Sequence, residues 1–212
     1  MIRTKVVANQ QITDNVFVLT LPRIIEFKPG QVIDIKIGNN PPRIYSIASG
    51  NKEDEIRILY KVKPEGLVTP LIRTLQKEDA LEISEAYGDF TDDEKPAYWI
   101  ASGTGIAPFY SMFKSGIGRN KTLIHGGRDK NGFYFENEFI PFFNHKYIRC
   151  CSRESAEGLY PGRITQFLTE QELLPPDQKY YLCGSAEMVV EVRDLLISKK
   201  VPFSNIVAEI YF

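Results

Sequence analysis

The chain has 212 residues, 43% of them apolar and 25% charged, with a formal net charge of -1 at pH 7. That length holds one large domain or two small ones, and the composition excludes a disordered chain. Near-neutral charge speaks against nucleic-acid binding, no stretch approaches the ~20 apolar residues of a membrane span, and three cysteines cannot supply the four thiolates of a built-in iron–sulfur cluster. The adjacent pair Cys150-Cys151 and the odd count fit no disulfide framework, which points to a reducing cytoplasm. The first residues lack the apolar core of a signal peptide. Charge is segregated all the same: residues 1–50 hold six Lys/Arg against three Asp/Glu, and residues 51–95 hold seven against twelve.

Up to about residue 90, apolar residues fall in short β-branched runs at 5–8, 16–21, 31–37, 44–47, 56–62 and 81–85. Turn signals such as Lys28-Pro29-Gly30 and Asn39-Asn40-Pro41-Pro42 separate them. Six strands so spaced predict a small antiparallel barrel, with one helix at about 69–75 where Leu71, Ile72 and Leu75 keep helical spacing. The polar run Thr91-Asp92-Asp93-Glu94-Lys95-Pro96 marks a boundary, giving domains 1–94 and 95–212. Beyond it strands are expected at 97–101, 121–126, 147–151, 180–183 and 206–211. Helices are expected at 107–114, 136–142, 164–169 and 186–199. This alternation predicts a Rossmann-like, doubly wound parallel sheet, its strands apolar on both faces.

Two segments carry chemistry. The strand Tyr98-Trp99-Ile100-Ala101 runs into Ser102-Gly103-Thr104-Gly105 and then a helix. Glycines at such a turn let a phosphate approach backbone N–H groups at a helix start, although a tight structural turn explains Gly-x-Gly equally well. On a barrel strand, Arg43-Ile44-Tyr45-Ser46 places Arg43 and Tyr45 on one side, with Ile44 and Ile47 on the other. An arginine offers a fork to a diphosphate, a tyrosine a stacking plane and a serine one hydrogen bond, while an amphipathic strand with a solvated arginine would look the same. His125 and His145 lack metal-ligand spacing, so no metal site is expected. The phenylalanines between 133 and 143 are expected in core and helix faces.

Five segments in order, Arg43-Ile44-Tyr45-Ser46, Gly66-Leu67-Val68-Thr69 with Glu85-Ala86-Tyr87-Gly88-Asp89-Phe90, Gly103-Thr104-Gly105-Ile106-Ala107-Pro108, Cys183-Gly184-Ser185 and Glu209-Ile210-Tyr211-Phe212, resemble the ferredoxin–NADP+ reductases. The likeness spans nearly the whole chain and is strongest to the bacterial ferredoxin or flavodoxin reductases. It implies an FAD-binding barrel followed by an NADP-binding domain, exchanging hydride between NADPH and flavin and single electrons with ferredoxin or flavodoxin. Arg43 then pairs with the FAD pyrophosphate, Tyr45 stacks on the flavin ring and Ser46 reaches toward its N5. The Gly66, Leu67, Val68 and Thr69 turn binds pyrophosphate, and Tyr60, Lys61 and Val62 lie along the flavin. For the nicotinamide cofactor, the resemblance assigns Gly103, Thr104 and Gly105 to the pyrophosphate and Cys183 to the nicotinamide pocket. Arg128, Ser152, Arg153 and Arg163 would meet a ribose 2′-phosphate, favouring NADP(H) over NAD(H). Tyr211 or Phe212 would cover the flavin face, and Glu209 would assist proton and electron exchange. Tyr87 and Phe90 are candidates for stacking adenine. Two rival readings are an NADH-dependent reductase component of an oxygenase or other acceptor, and a flavin-binding electron-transfer subunit inactive without a partner.

Overall fold

The computed structural model describes residues 1–211. They form two compact units, Met1–Asp92 with Ala107–Ile117, and Asp93–Ile106 with the chain from Gly118 onward.

In the first unit the strands β1 (Ile2–Lys5), β2 (Ala8–Thr13), β3 (Val16–Pro22), β4 (Val32–Lys36), β5 (Arg43–Ser46), β6 (Glu55–Lys61) and β7 (Ala80–Ile83) pair antiparallel. They make two sheets in the orders β1-β7-β4-β5 and β2-β3-β6, and a bridge between Ile47 and Ile58 ties the segment after β5 to β6. Alternate residues point inward, as the strand period of two requires. Phe17, Leu19 and Leu21, Ile33 and Ile35, and Ile56, Ile58 and Tyr60 therefore meet in one core. Burying each such side chain is worth about 1.5–3 kcal/mol. Helix α1 (Thr69–Thr74) closes over this core with Ile72. Helix α2 (Ala107–Lys114) belongs to the same unit, Phe109 meeting Phe90 edge-on at 5.6 Å and the Ser111 hydroxyl donating to the Ser49 carbonyl at 2.7 Å.

The expected single strand at 5–8 is two strands. Between them the backbone changes partners: Val6 N–H donates to the Asp79 carbonyl and Val7 N–H to the Thr20 carbonyl, both at 2.9 Å. The apolar pair thus marks a crossover between sheets. β2 itself, Ala-Asn-Gln-Gln-Ile-Thr, shows no apolar alternation because it is an edge strand, and its pairing with β3 shifts register between Gln11 and Thr13.

The second unit holds β8 (Ala97–Ser102), β9 (Lys121–Gly127), β10 (Tyr147–Cys151), β11 (Tyr160–Pro161), β12 (Lys179–Ser185) and β13 (Ile206–Tyr211), paired parallel in the order β11-β10-β9-β8-β12-β13. Helices α3 (Glu136–Phe143), α4 (Ile164–Glu170) and α5 (Ala186–Ser198) follow β9, β11 and β12. Ser185 caps α5 by accepting from Met188 N–H at 3.3 Å, and Val189, Val192 and Leu196 form its buried stripe. Ile100, Ile124 and Leu182 are fully buried beneath the helices. Strand order reverses at β8, so the carboxyl ends of β8 and β12 flank the switch point where open α/β sheets take ligands. Only β11, two residues long, escapes the expected element order of this unit. No helix among the described residues is long and apolar enough to cross a membrane.

Candidate functional site

In the first unit, cross-strand partners share a face, and β5 sets Arg43 opposite Ile35 and Tyr45 opposite Ile33. Arg43 and Tyr45 therefore continue the barrel's inward face. Tyr45 is half-buried against the core, and burial, then the neighbouring Tyr60, push its hydroxyl up to about 12 despite Arg43. Ser46 is buried, whereas Ile44, on the side away from Arg43 and Tyr45 as expected, is 62% exposed. The tetrad's apolar residue is outside because the interior side of β5 already belongs to Tyr45. Arg43 is exposed at the strand's start, its guanidinium donating to the Pro42 carbonyl at 3.1 Å, with no ion pair among the described residues.

Tyr60, on β6, stacks on Phe17 at 5.7 Å and donates to the Asn9 side chain at 3.0 Å. Asn9 in turn donates to the Ile72 carbonyl at 2.8 Å, so it holds Tyr60 and α1 together. Sequence reasoning missed Asn9, which sits on a polar edge strand with no motif around it. Lys61 is exposed and Val62 is in the core. The Gly66 turn is closed by Gly66 N–H donating to the Lys63 carbonyl at 2.9 Å, while the Thr69 hydroxyl accepts from Lys63 N–H at 2.9 Å. Val68 is buried at the start of α1, where no side chain caps the first N–H groups, and Leu67 is 60% exposed. Of the two aromatic candidates for adenine, Phe90 is a core residue, whereas Tyr87 is 40% exposed and donates to Asp34 at 3.2 Å.

In the second unit, Gly103 through Ile106 form a 3-10 turn directly after β8. Gly103 has φ +54°, and a Cβ at Gly105 would run into the Cys183 carbonyl. The turn and the end of β12 are packed backbone to backbone, so Gly105 is required by space. Cys183 is fully buried and paired in register with Glu209, its thiol 4.0 Å from that carboxylate. Burial first, then Glu209, raise the thiol well above its ordinary value, while a hydrogen bond to Tyr211 opposes them. A thiol shifted this way is protonated at neutral pH. Tyr211 is half-buried opposite Ser185, and Phe212, the other expected gate, lies outside the described residues.

At the carboxyl ends of β9 and β10 the expected 2′-phosphate residues come together. Ser152 N–H donates to the Gly127 carbonyl at 3.0 Å and Arg153 N–H to the Arg128 carbonyl at 2.9 Å. The side chains of Arg128 and Arg153 are exposed and make no ion pair among the described residues. The loop's carboxylates are otherwise engaged, Asp129 accepting from Asn131 N–H and Glu154 from Lys130 N–H, both at 3.0 Å. Arg163 differs: it starts α4 and is held by Glu187 at 3.3 Å and Glu191 at 3.8 Å on α5.

These donor sets fit the expected cofactors. An exposed guanidinium, half-buried tyrosine and uncapped helix start suit a flavin dinucleotide's phosphates and ring, and a glycine turn with two arginines that make no ion pair among the described residues suits a phosphorylated nicotinamide nucleotide.

Family models agree with that division. An oxidoreductase FAD-binding domain matches residues 3–91, and an oxidoreductase NAD-binding domain matches residues 99–194. The fold and both sites thus define a two-module, flavin- and nicotinamide-nucleotide-binding oxidoreductase. The chain belongs to the ferredoxin reductase-type FAD/NAD(P)-binding oxidoreductases. It is 29% identical, over 89% of its own length and 61% of the relative's, to the reductase component of propane 2-monooxygenase from Mycolicibacterium smegmatis. It is 27% identical, over 85% and 57%, to the electron transfer component of toluate 1,2-dioxygenase from Pseudomonas putida. The chain therefore spans just over half the length of these curated relatives. In fold it is similar to a ferredoxin NADP+ reductase from Neisseria gonorrhoeae solved with bound FAD and NADP, with a TM-score of 0.88, 20% identity and 99% and 98% of the two chains covered.

Proposed function

We propose that the protein is a flavin-dependent reductase that draws reducing equivalents from NADPH and passes single electrons to a carrier protein, ferredoxin or flavodoxin. FAD, when bound, supplies the exchange between two-electron and one-electron chemistry. In this reading Arg43 and the turn at Gly66, with the N–H groups of Leu67, Val68 and Thr69, neutralise and orient its diphosphate, while Tyr45, Ser46, Tyr60, Lys61 and Val62 form the wall for its ring and side chain. Tyr60 is held rigid by Asn9 and Phe17, which fixes that wall before cofactor arrives. Gly103, Thr104 and Gly105 admit the nucleotide's pyrophosphate. Cys183 supplies a neutral, immobile pocket floor, with Glu209 beside it as proton carrier and Tyr211 or Phe212 as the aromatic cover.

One observation carries the choice of NADPH. Arg128 and Arg153 make no ion pair among the described residues and lie beside Ser152, while Asp129 and Glu154 each already accept a backbone N–H. A ribose diol needs a free carboxylate, whereas a 2′-phosphate needs free guanidinium groups. Arg163, committed to α5, is left out of that contact. Arg153→Ala should lower kcat/KM for NADPH by about tenfold or more and leave NADH nearly unchanged, since a charge-assisted hydrogen bond is worth about 1.5–3 kcal/mol. Equal losses with both nucleotides in steady-state assays would rule the assignment out.

A second acceptor reading is favoured by the names of the sequence relatives, which are electron-transfer components of a dioxygenase and a monooxygenase. There the carrier's place is taken by an oxygenase, and NADH is the expected donor. Initial rates with both nucleotides, using ferricyanide and then a purified ferredoxin, separate the two readings.

A further inference from the structure

The amino-terminal end of the parallel sheet carries a concavity of about 330 Å³ lined by the Gly118-Arg119-Asn120-Lys121 turn, the end of α3 and the residues leading into β10. Its charge is one-sided. Arg119, Lys121, His145 and Lys146 line it, and no carboxylate does so among the described residues. Arg119, His145 and Lys146 are exposed and make no side-chain hydrogen bond or ion pair among the described residues. Lys121 is different: it is 1% exposed, its ammonium donating to the Lys95 carbonyl and lying 5.7 Å from the Trp99 ring centroid. Charge buried this way acts through low dielectric and is screened less than charge in solvent. Phe142, 46% exposed, adds an apolar wall.

This concentration is local, because the whole chain has a net charge of -1 and residues 51–95 are strongly acidic. A long polyanion would meet repulsion elsewhere; a small one would not. The volume lies at the lower end of small-molecule sites, about 300–1,000 Å³. The concavity is also remote from the nucleotide edge. Lys121 opens β9 and Gly127 closes it beside Arg128, so seven residues at ~3.3 Å each put the two ends about 20 Å apart.

We propose that this concavity is a second anion site, taking a small phosphorylated compound. Arg119 supplies a planar fork for phosphate oxygens, Lys146 and His145 close the rim, Lys121 adds fixed positive charge below, and Phe142 covers the carbon body.

The test uses the full chain with its flavin and inorganic pyrophosphate as probe. The chain has two histidines, and His125 is fully buried, so the ring-proton NMR signals of exposed His145 report on the concavity without any substitution. They are expected to shift saturably with pyrophosphate and less with citrate. Calorimetry then compares the Arg128→Ala/Arg153→Ala protein, whose nucleotide edge is silenced, with the same protein carrying Arg119→Ala and Lys146→Ala as well. Removing the second pair should weaken binding about tenfold or more, as loss of charge-assisted contacts predicts. Unmoved His145 signals, or pyrophosphate affinity indifferent to Arg119 and Lys146, would overturn the site. Citrate binding as tightly as pyrophosphate would overturn the phosphate assignment.

Discussion

The two units place chemistry by opposite rules. In the antiparallel unit β5 has an exposed start and a buried end, and candidate side chains sit along the strands themselves: Arg43 and Tyr45 on β5, Tyr60 on β6. In the parallel unit β8, β9 and β12 are buried on both faces, and the candidate residues lie at or just beyond the strand ends, at Gly103, Arg128, Ser152, Arg153 and Cys183. Substitutions in the first should separate binding from folding. Substitutions at the close-packed end of the second should not.

The largest effect that tests this contrast is Gly105→Ala. Its methyl would meet the Cys183 backbone, which cannot yield cheaply, so we expect at least about 2 kcal/mol of lost stability, seen as a lowered melting temperature. Gly103→Ala, two residues earlier, meets nothing within 4 Å and bears only the cost of φ +54°, roughly 1–2 kcal/mol. Equal melting temperatures for the two variants would show that the close approach is unimportant. Next comes Arg43→Ala, which should weaken FAD retention by about tenfold or more while the apoprotein melts as before, because the side chain is exposed, makes no ion pair among the described residues and donates only to the adjacent Pro42 carbonyl. A flavin-free parent and variant that differ in melting temperature would place Arg43 in the fold instead.

A pH-dependent effect, small near neutral pH, belongs to the parallel unit. His125 is fully buried, its Nδ1 3.0 Å from the Tyr147 hydroxyl, and burial pushes its imidazole down to about 3, reinforced by Arg149 and opposed by a Gly103 backbone contact. The unfolded chain binds a proton below about 6.5 and the folded one does not, so the contribution is intact above that pH. It falls by up to about 1.4 kcal/mol per unit as pH drops toward 3. His125→Asn should flatten the slope of unfolding free energy against pH in denaturant titrations. An unchanged slope would assign acid sensitivity to carboxylates. The smallest effect is Thr69→Val in the antiparallel unit, which removes one acceptor from Lys63 N–H and should cost about 1 kcal/mol.

The same contrast explains what could be read from the amino acids alone. Strands rich in buried residues announce themselves as apolar runs, so β9 and β12 fall within two residues of their expected bounds and β10 matches at both ends, as does the half-buried edge strand β13. In the antiparallel unit strands are legible only where apolar residues continue: β3 and β6 were, but β2 was not, since five of its six residues carry no large apolar side chain. Motifs put Arg43 on a barrel strand and Gly103 after the first parallel strand, and the structure has them on β5 and directly after β8. Pairing across the fold was beyond reach. Nothing in Arg163's neighbours along the chain foretells Glu187 and Glu191 on α5, and nothing near Phe90 foretells Phe109.

The register shift in β2 has a colloidal consequence. An edge strand offers its unpaired backbone groups to any neighbouring chain, and a flat, apolar one templates association. β2 carries Gln10 and Gln11 where apolar residues would invite stacking, and its ladder breaks between Gln11 and Thr13. The irregularity that hid this strand from periodicity also makes it a poor template, leaving the barrel's open edge resistant to strand-to-strand growth.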